Sequence, residues 1–147
     1  MKKNETRAIS KEVAISELTK FLQKYKRKEF RKGELTEDKI EDNFPDVIEA
    51  IQDGLIVFDD KNHPTLTLRF PIETENKDKD LGIYVVNFRS RIKPSDKANI
   101  MDGLNIQTQQ GKYILKFMSY ITGMSGNELD KLDTEDYDTI NQICSVF

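Results

Sequence analysis

The sequence predicts an α+β fold: a short β-hairpin or small antiparallel sheet flanked by N-terminal helices and followed by a C-terminal group of about three short helices. Three observations carry this. Apolar residues recur at helical spacing in the first fifty or so positions, the run TLTLRF at 65–70 alternates strictly, and the final third of the chain returns to a helical period with a cap at almost every start. At 147 residues the chain is long enough for one domain with a real core and short for two, so 1–147 is read as a single domain.

The first helix begins after Ser10, whose hydroxyl can accept from a free amide of the first turn. Ala14, Leu18, Phe21 and Tyr25 form its stripe, widened by Val13 and Leu22. It runs into KYKRKEFRKG, where Gly33 supplies a stop, so 1–33 reads as a helical arm with a basic end. Thr36, with Glu37 and Asp38 behind it, opens a second short helix. Pro45 opens a third at its N1 position, where the missing amide costs nothing, and Gly54 ends that helix after Val47, Ile48 and Ile51.

The period then changes. LIVF at 55–58 is β-prone, DDKNHP is turn chemistry, and Leu66, Leu68 and Phe70 share one face of the strand that follows. Pro71, unable to donate to a ladder, is expected to close it. Residues 73–81 read as a mobile charged loop, and GIYVVNFRSRI is compatible with a third strand or with the opening of a helix.

Helical signals resume at Pro94. PSDKANIMDG is a short helix or turn ending at Gly103, and 107–122 carries Tyr113, Ile114, Phe117, Met118 and Ile121 on one broad face, ended by Gly123. Ser125 and Glu128 fit a capping box for a helix through Leu129 and Leu132. Asp133 caps the last helix, with Glu135 and Asp136 beside the positive end of its dipole and Tyr137, Ile140, Ile143, Cys144 and Phe147 as its stripe.

The inventory for catalysis is poor, and the chain is read as a non-enzyme without cofactor or metal. His63 is the single histidine and Cys144 the single cysteine, and a nucleophilic pair would need a thiol taken from a core-facing stripe. Asp59, Asp60 and Asn62 could meet a hard cation, but the loop lacks the glycine and distal glutamate of a calcium loop. One cysteine excludes an internal disulfide and suits a reducing compartment; MKKNETRAIS has no apolar run behind its lysines, and no stretch approaches membrane length. The expectation is a cytoplasmic protein without membrane contact. With a net charge of -3 nothing pulls the whole chain toward nucleic acid. Two local basic clusters, Lys24, Lys26, Arg27, Lys28, Arg31 and Lys32, and then Arg89, Arg91 and Lys93, can neutralise phosphates or simply face water.

A third function class is partner binding. The C-terminal helices hold more large apolar side chains than such short elements obviously bury, and the candidate partner-binding residues are Met118, Ile121, Met124, Leu129, Leu132, Ile140, Ile143 and Phe147, with plain core packing as the alternative. Glu128, Asp130, Asp133, Glu135, Asp136 and Asp138 would form an acidic rim favouring basic targets, and self-association into a homo-oligomer is an expected companion.

LTLRFPI at 66–72 resembles the Leu-Thr-Leu-Arg-x-Pro signature of small tail assembly chaperones of tailed bacteriophages and prophages. The ending ITGMSGNELDKLDTEDYDTINQICSVF resembles the close of the same family: an apolar helix, a Thr/Ser-Gly, a Glu-Leu turn, then Leu-Asp-x-x-Asp-Tyr and a helix finishing on Phe. The likeness spans 55–147; the N-terminal third has no counterpart, and the charged insertion at 73–80 interrupts it. It implies a helper in the bacterial host cytoplasm, absent from the finished virion, that binds the tape-measure protein, keeps its long apolar helices from aggregating and recruits tail-tube protein. The alternatives are a structural component of the virion tail and a small nucleic-acid-binding regulator.

Overall fold

The computed structural model describes residues 8–73 and 82–147. Ser10 caps α1 (Lys11–Tyr25), its Oγ accepting from the Val13 amide at 3.2 Å, and the helix turns Ala14, Ile15, Leu18, Phe21 and Leu22 inward. At Lys26 the backbone leaves the helical region (φ -121°, ψ 41°), which splits the basic run into a separate turn, α2 (Arg27–Arg31), with no buried residue. α1 lies against α4 in the core. It is therefore not an arm, because its own stripe is needed to cover the domain. Thr36 caps α3 (Glu37–Asn43), Pro45 opens α4 (Pro45–Gln52), and Gly54 takes φ 80° just beyond it, a conformation that costs glycine nothing.

β1 (Ile56–Phe58), β2 (Pro64–Glu73) and β3 (Gly82–Asn87) form an antiparallel sheet in the order β1-β2-β3. The segment left open by periodicity is thus a strand. Ile56 pairs with Leu66 and Leu66 with Val86, all buried against the helices, whereas Val57, Thr67 and Val85 face water on the other side. Asp59 shapes the β1–β2 turn, its Oδ1 accepting from the amides of Lys61 (2.8 Å) and His63 (2.9 Å), with Asn62 in the left-handed region at φ 60°.

The expectation that Pro71 closes the strand is corrected: β2 continues to Glu73 around an irregularity. Between the pairs Thr67↔Val85 and Ile72↔Ile83, β2 advances five positions while β3 advances two. Leu68, Arg69, Phe70 and Pro71 make up this wide bulge, where a residue without an amide proton is tolerated. The charged loop expected at 73–81 lies, apart from Glu73, outside the described residues.

α5 (Pro94–Met101) and α6 (Gln110–Thr122) follow, and Gly123 ends α6 with φ 76°. Ser125 and Glu128 make both bonds of a capping box on α7 (Gly126–Asp130), and the Asp133 carboxylate accepts from the Glu135 amide to open α8 (Thr134–Cys144). The described residues thus hold eight helices and three strands, an α+β fold. The core joins α1, α4, the inner sheet face, the second half of α6 and α8, and Phe147 sets its ring against Phe21 and Tyr25 at centroid separations of 6.0 and 4.9 Å. Among the described residues no helix is long and apolar enough to cross a membrane.

Candidate partner-binding site

The two stretches that carry the resemblance meet in space. Asp136, in LDTEDY, is only 2% exposed, and its carboxylate accepts from the amides of Arg69 and Phe70, in LTLRFP, each at 3.0 Å. Those amides belong to the bulge, where the β2–β3 register is interrupted, and the carboxylate serves both in place of a ladder acceptor. Arg69 adds a side-chain link, Nη2 to Asp53 Oδ2 at 2.7 Å, with Glu135 Oε1 3.8 Å from its Nε. As a result Phe70 is turned outward, 49% exposed, at the height of the equally exposed Tyr84 on β3.

α8 does the same for α4. The N-cap position of α4 is Phe44, which has no acceptor to offer. Gln142 supplies one: its Oε1 accepts from the amides of Asp46 (3.1 Å) and Val47 (3.2 Å), while its Nε2 donates to Asp46 Oδ2 at 2.6 Å. One short helix therefore completes both a strand and another helix with polar side chains, while Ile140, Ile143 and Cys144 on its apolar side lie in the core.

That arrangement decides where the candidate binding residues stand. Met118, Ile121, Met124, Leu129, Ile140 and Ile143 are buried core, and Leu132 and Phe147 are half-buried against it. They do not form an open groove, because α4, α7 and α8 already cover that face. Among the C-terminal helices the first half of α6 leaves apolar surface uncovered, as Val57, Phe70, Tyr84 and Val85 do on the sheet. Only Met118 and Ile121 of this helix are buried; Ile114 and Leu115 are 37% and 43% exposed, and Tyr113 stacks on Phe117 at 5.9 Å. A cleft of about 330 Å³ runs beside it, lined by Tyr113, Ile114, Phe117, Met118, Cys144 and Phe147, with Lys97, Asn141 and Ser145 at its polar edge. A second, of about 420 Å³, lies on the other flank between Ile100, Leu115 and Tyr120. The acidic rim expected around the binding face is therefore misplaced: the polar edge of the first cleft is Lys97 with two neutral residues, and Asp136 is an internal hydrogen-bond acceptor rather than a rim charge.

α6 itself is held from behind. Arg89 donates from its backbone amide to the Ile121 carbonyl (2.9 Å) and from Nε to the Tyr120 carbonyl (2.7 Å), with its guanidinium 4.3 Å from the centre of the Tyr120 ring. The Tyr120 hydroxyl donates to Asp96 on α5 at 2.6 Å, an acceptor that pushes the phenol above its ordinary range. The α5–α6 pair is fixed at one end and bare at the other.

The residues weighed for catalysis are used otherwise. His63 bonds through Nε2 to the Phe88 carbonyl, and Cys144 is buried, which pushes its thiol up to about 12, far from a thiolate at neutral pH. Among the described residues no group of three His, Cys, Asp or Glu side chains is placed to hold a metal. A further cleft, about 690 Å³, lies between the start of α1 and α3–α4; Glu41, Asp42 and Glu49 stand on its wall, and Lys11 Nζ lies 3.4 Å from Glu41 Oε1 there.

Sequence reasoning missed the role of Asp136 as a buried acceptor, Gln142, and the bare end of α6. For the first two no local signal exists, since their partners are distant in sequence. For α6 the signal was present in LKFM preceded by YI, which is apolar almost all round at a helix end that few neighbours reach. Comparison with protein-family models, with curated proteins and with solved structures finds no match to this chain.

Proposed function

We propose that this chain is a non-catalytic assembly chaperone that shelters an amphipathic helix of a partner protein. The observation that carries the reading is the half-covered apolar face of α6 with a cleft on either side, one edged by Lys97 and neutral polar groups and the other by Lys116 and by Asp96, which accepts from the Tyr120 hydroxyl. A cleft of this width and lining suits apolar side chains spaced i, i+3/i+4, i+7 on a guest helix, and Lys97 favours a carboxylate at the guest's edge. The contact between LTLRFP and LDTEDY supports treating the two resembling stretches as one unit. On that resemblance, the guest is the tape-measure protein of a phage tail, tail-tube protein is recruited to the complex, and the chain acts in the host cytoplasm without remaining in the virion.

The test is coexpression with tape-measure protein and comparison with Ile114→Asp/Leu115→Asp, changed at positions already open to water. The expected result is that the wild-type chain keeps the guest soluble and the variant, with unchanged circular dichroism, does not. Equal solubilisation by both chains would overturn the assignment of the surface. Tagged copurification from phage-producing cells addresses the role itself. Tape-measure and tube proteins in the eluate, with the chain absent from purified virions, support it; recovery in virions would make the chain a structural tail component. Ile121→Asp, by contrast, tests folding, because that side chain is core.

A further inference from the structure

The two basic clusters are neighbours. The Tyr25 hydroxyl donates to the Ser90 carbonyl at 2.9 Å and joins the end of α1 to the segment after β3; Lys24 Nζ donates to the Lys61 carbonyl at 3.1 Å and brings in the β1–β2 turn. Arg27, Lys28, Arg31, Lys32, Arg91 and Lys93 are all exposed, and none is in an ion pair with another described residue. Arg89 is different: it is committed to Tyr120 and positions the segment.

We infer that this joined surface is a docking platform for a carboxylate-rich peptide segment of a partner protein, separate from the α6 clefts and independent of what they hold. An excess of unneutralised cations on one face of a chain whose net charge is -3 calls for an anionic partner. Three features favour a peptide over a nucleic acid. Glu29 interrupts the first cluster, and Asp59 and Asp60 stand beside Lys61, with the Asp59 carboxyl held low by the His63 and Lys61 amides and by the nearby Lys24 charge. A duplex with a charge about every 1.7 Å of axis meets these acids wherever it lies, whereas a peptide can space its carboxylates around them. The aromatic rings interleaved with the cations are turned inward: Tyr25 packs edge-on against Phe21 and Phe147, and Phe30 lies against the core. No stacking face remains there for unpaired bases. Arg27, Arg31 and Arg91 also offer the planar fork that matches a carboxylate through two bonds.

The experiment measures fluorescence anisotropy of a labelled 20-residue poly-glutamate peptide and of a labelled 20-base-pair duplex, each titrated with the full chain in low and physiological salt. Arg27→Gln/Lys28→Gln removes charge from one cluster, Arg91→Gln/Lys93→Gln from the other, and Lys112→Gln/Lys131→Gln is a remote control; thermal melts verify that each variant is folded. Poly-glutamate should bind, more weakly as salt rises, and each cluster variant should lose about fivefold in affinity while the control keeps it. Tighter binding of the duplex than of the peptide would replace the proposal with a nucleic-acid surface. No binding of either probe, equal loss in the control, or loss from one cluster alone would overturn the joined platform.

Discussion

Replacing Asp136 by alanine removes the acceptor from two backbone amides whose residues have no register partner on a neighbouring strand among the described residues. A hydrogen bond to a charged group is worth about 1.5–3 kcal/mol, so two such bonds set an upper figure near 6 kcal/mol. Part of that is returned, since the buried carboxylate no longer has to be held away from water, and the bulge can admit a solvent molecule on its exposed side. The net loss should be about 2–4 kcal/mol, which for a domain of this size lowers the melting temperature by roughly 10 °C. Asp136→Asn is the informative companion. It keeps shape and one acceptor but turns an NH2 group toward an amide that is itself a donor, so it should fall nearly as far as alanine. Urea unfolding followed by circular dichroism gives the energies, and hydrogen exchange at the Arg69 and Phe70 amides reports the bonds directly. A loss below about 1 kcal/mol for alanine, or unchanged protection at those amides, would refute the reasoning that the carboxylate substitutes for ladder acceptors.

Three further outcomes follow from geometry already described. Gly82 faces the Ile72 carbonyl so closely that a Cβ would stand 2.5 Å from its oxygen, and Gly82→Ala should cost about 1–3 kcal/mol by denaturant titration, with wild-type stability refuting the close approach. The Cys144 thiol, buried and pushed up to about 12, should resist a thiol reagent at pH 8 in the native protein and react promptly in urea; fast native labelling would place it nearer the surface. The Asp59 carboxyl, held low first by the His63 amide, should titrate below the ordinary aspartate range in a carboxyl-carbon NMR titration. Its folded pKa being depressed, the stability it lends the turn is present above the unfolded value and is lost as pH falls through the folded one. A midpoint at or above the ordinary range would remove that contribution.

Local grammar was readable. Ser10, Thr36, Ser125 and Asp133 each cap a helix within three residues of themselves, and glycines 33, 54, 103 and 123 all take the positive φ that a helix or turn end asks for. What the residues alone left open involves partners far apart in the chain. Whether GIYVVN is a strand depends on the β2 edge it finds, and whether Pro71 ends a strand depends on an acceptor arriving from α8. Asp136 looked like its neighbour Glu135, a first-turn acid beside a helix dipole; only the packing of β2 over it turned one into a buried acceptor and left the other at the surface. The burial of most of the candidate binding residues has the same origin. A broad apolar stripe states that something must cover it, and the packing of α7 and α8 on α6 leaves Met118 and Ile121 buried but Ile114 and Leu115 open.

The reach of α8 has a consequence for how the molecule is made. Asp136 stands 66 positions beyond Phe70, and Gln142 stands 96 beyond Asp46. On a ribosome, β2 and the start of α4 emerge long before the groups that satisfy them, so the nascent chain carries bare amides and an unfinished strand until nearly all of α8 has left the exit tunnel. Closing such long loops late is slow, and it makes the emergence of α8 the step at which β2 and the start of α4 gain their acceptors. A chain stalled or cut before residue 136 should therefore be a target for proteolysis along β2, whatever the state of its first helices.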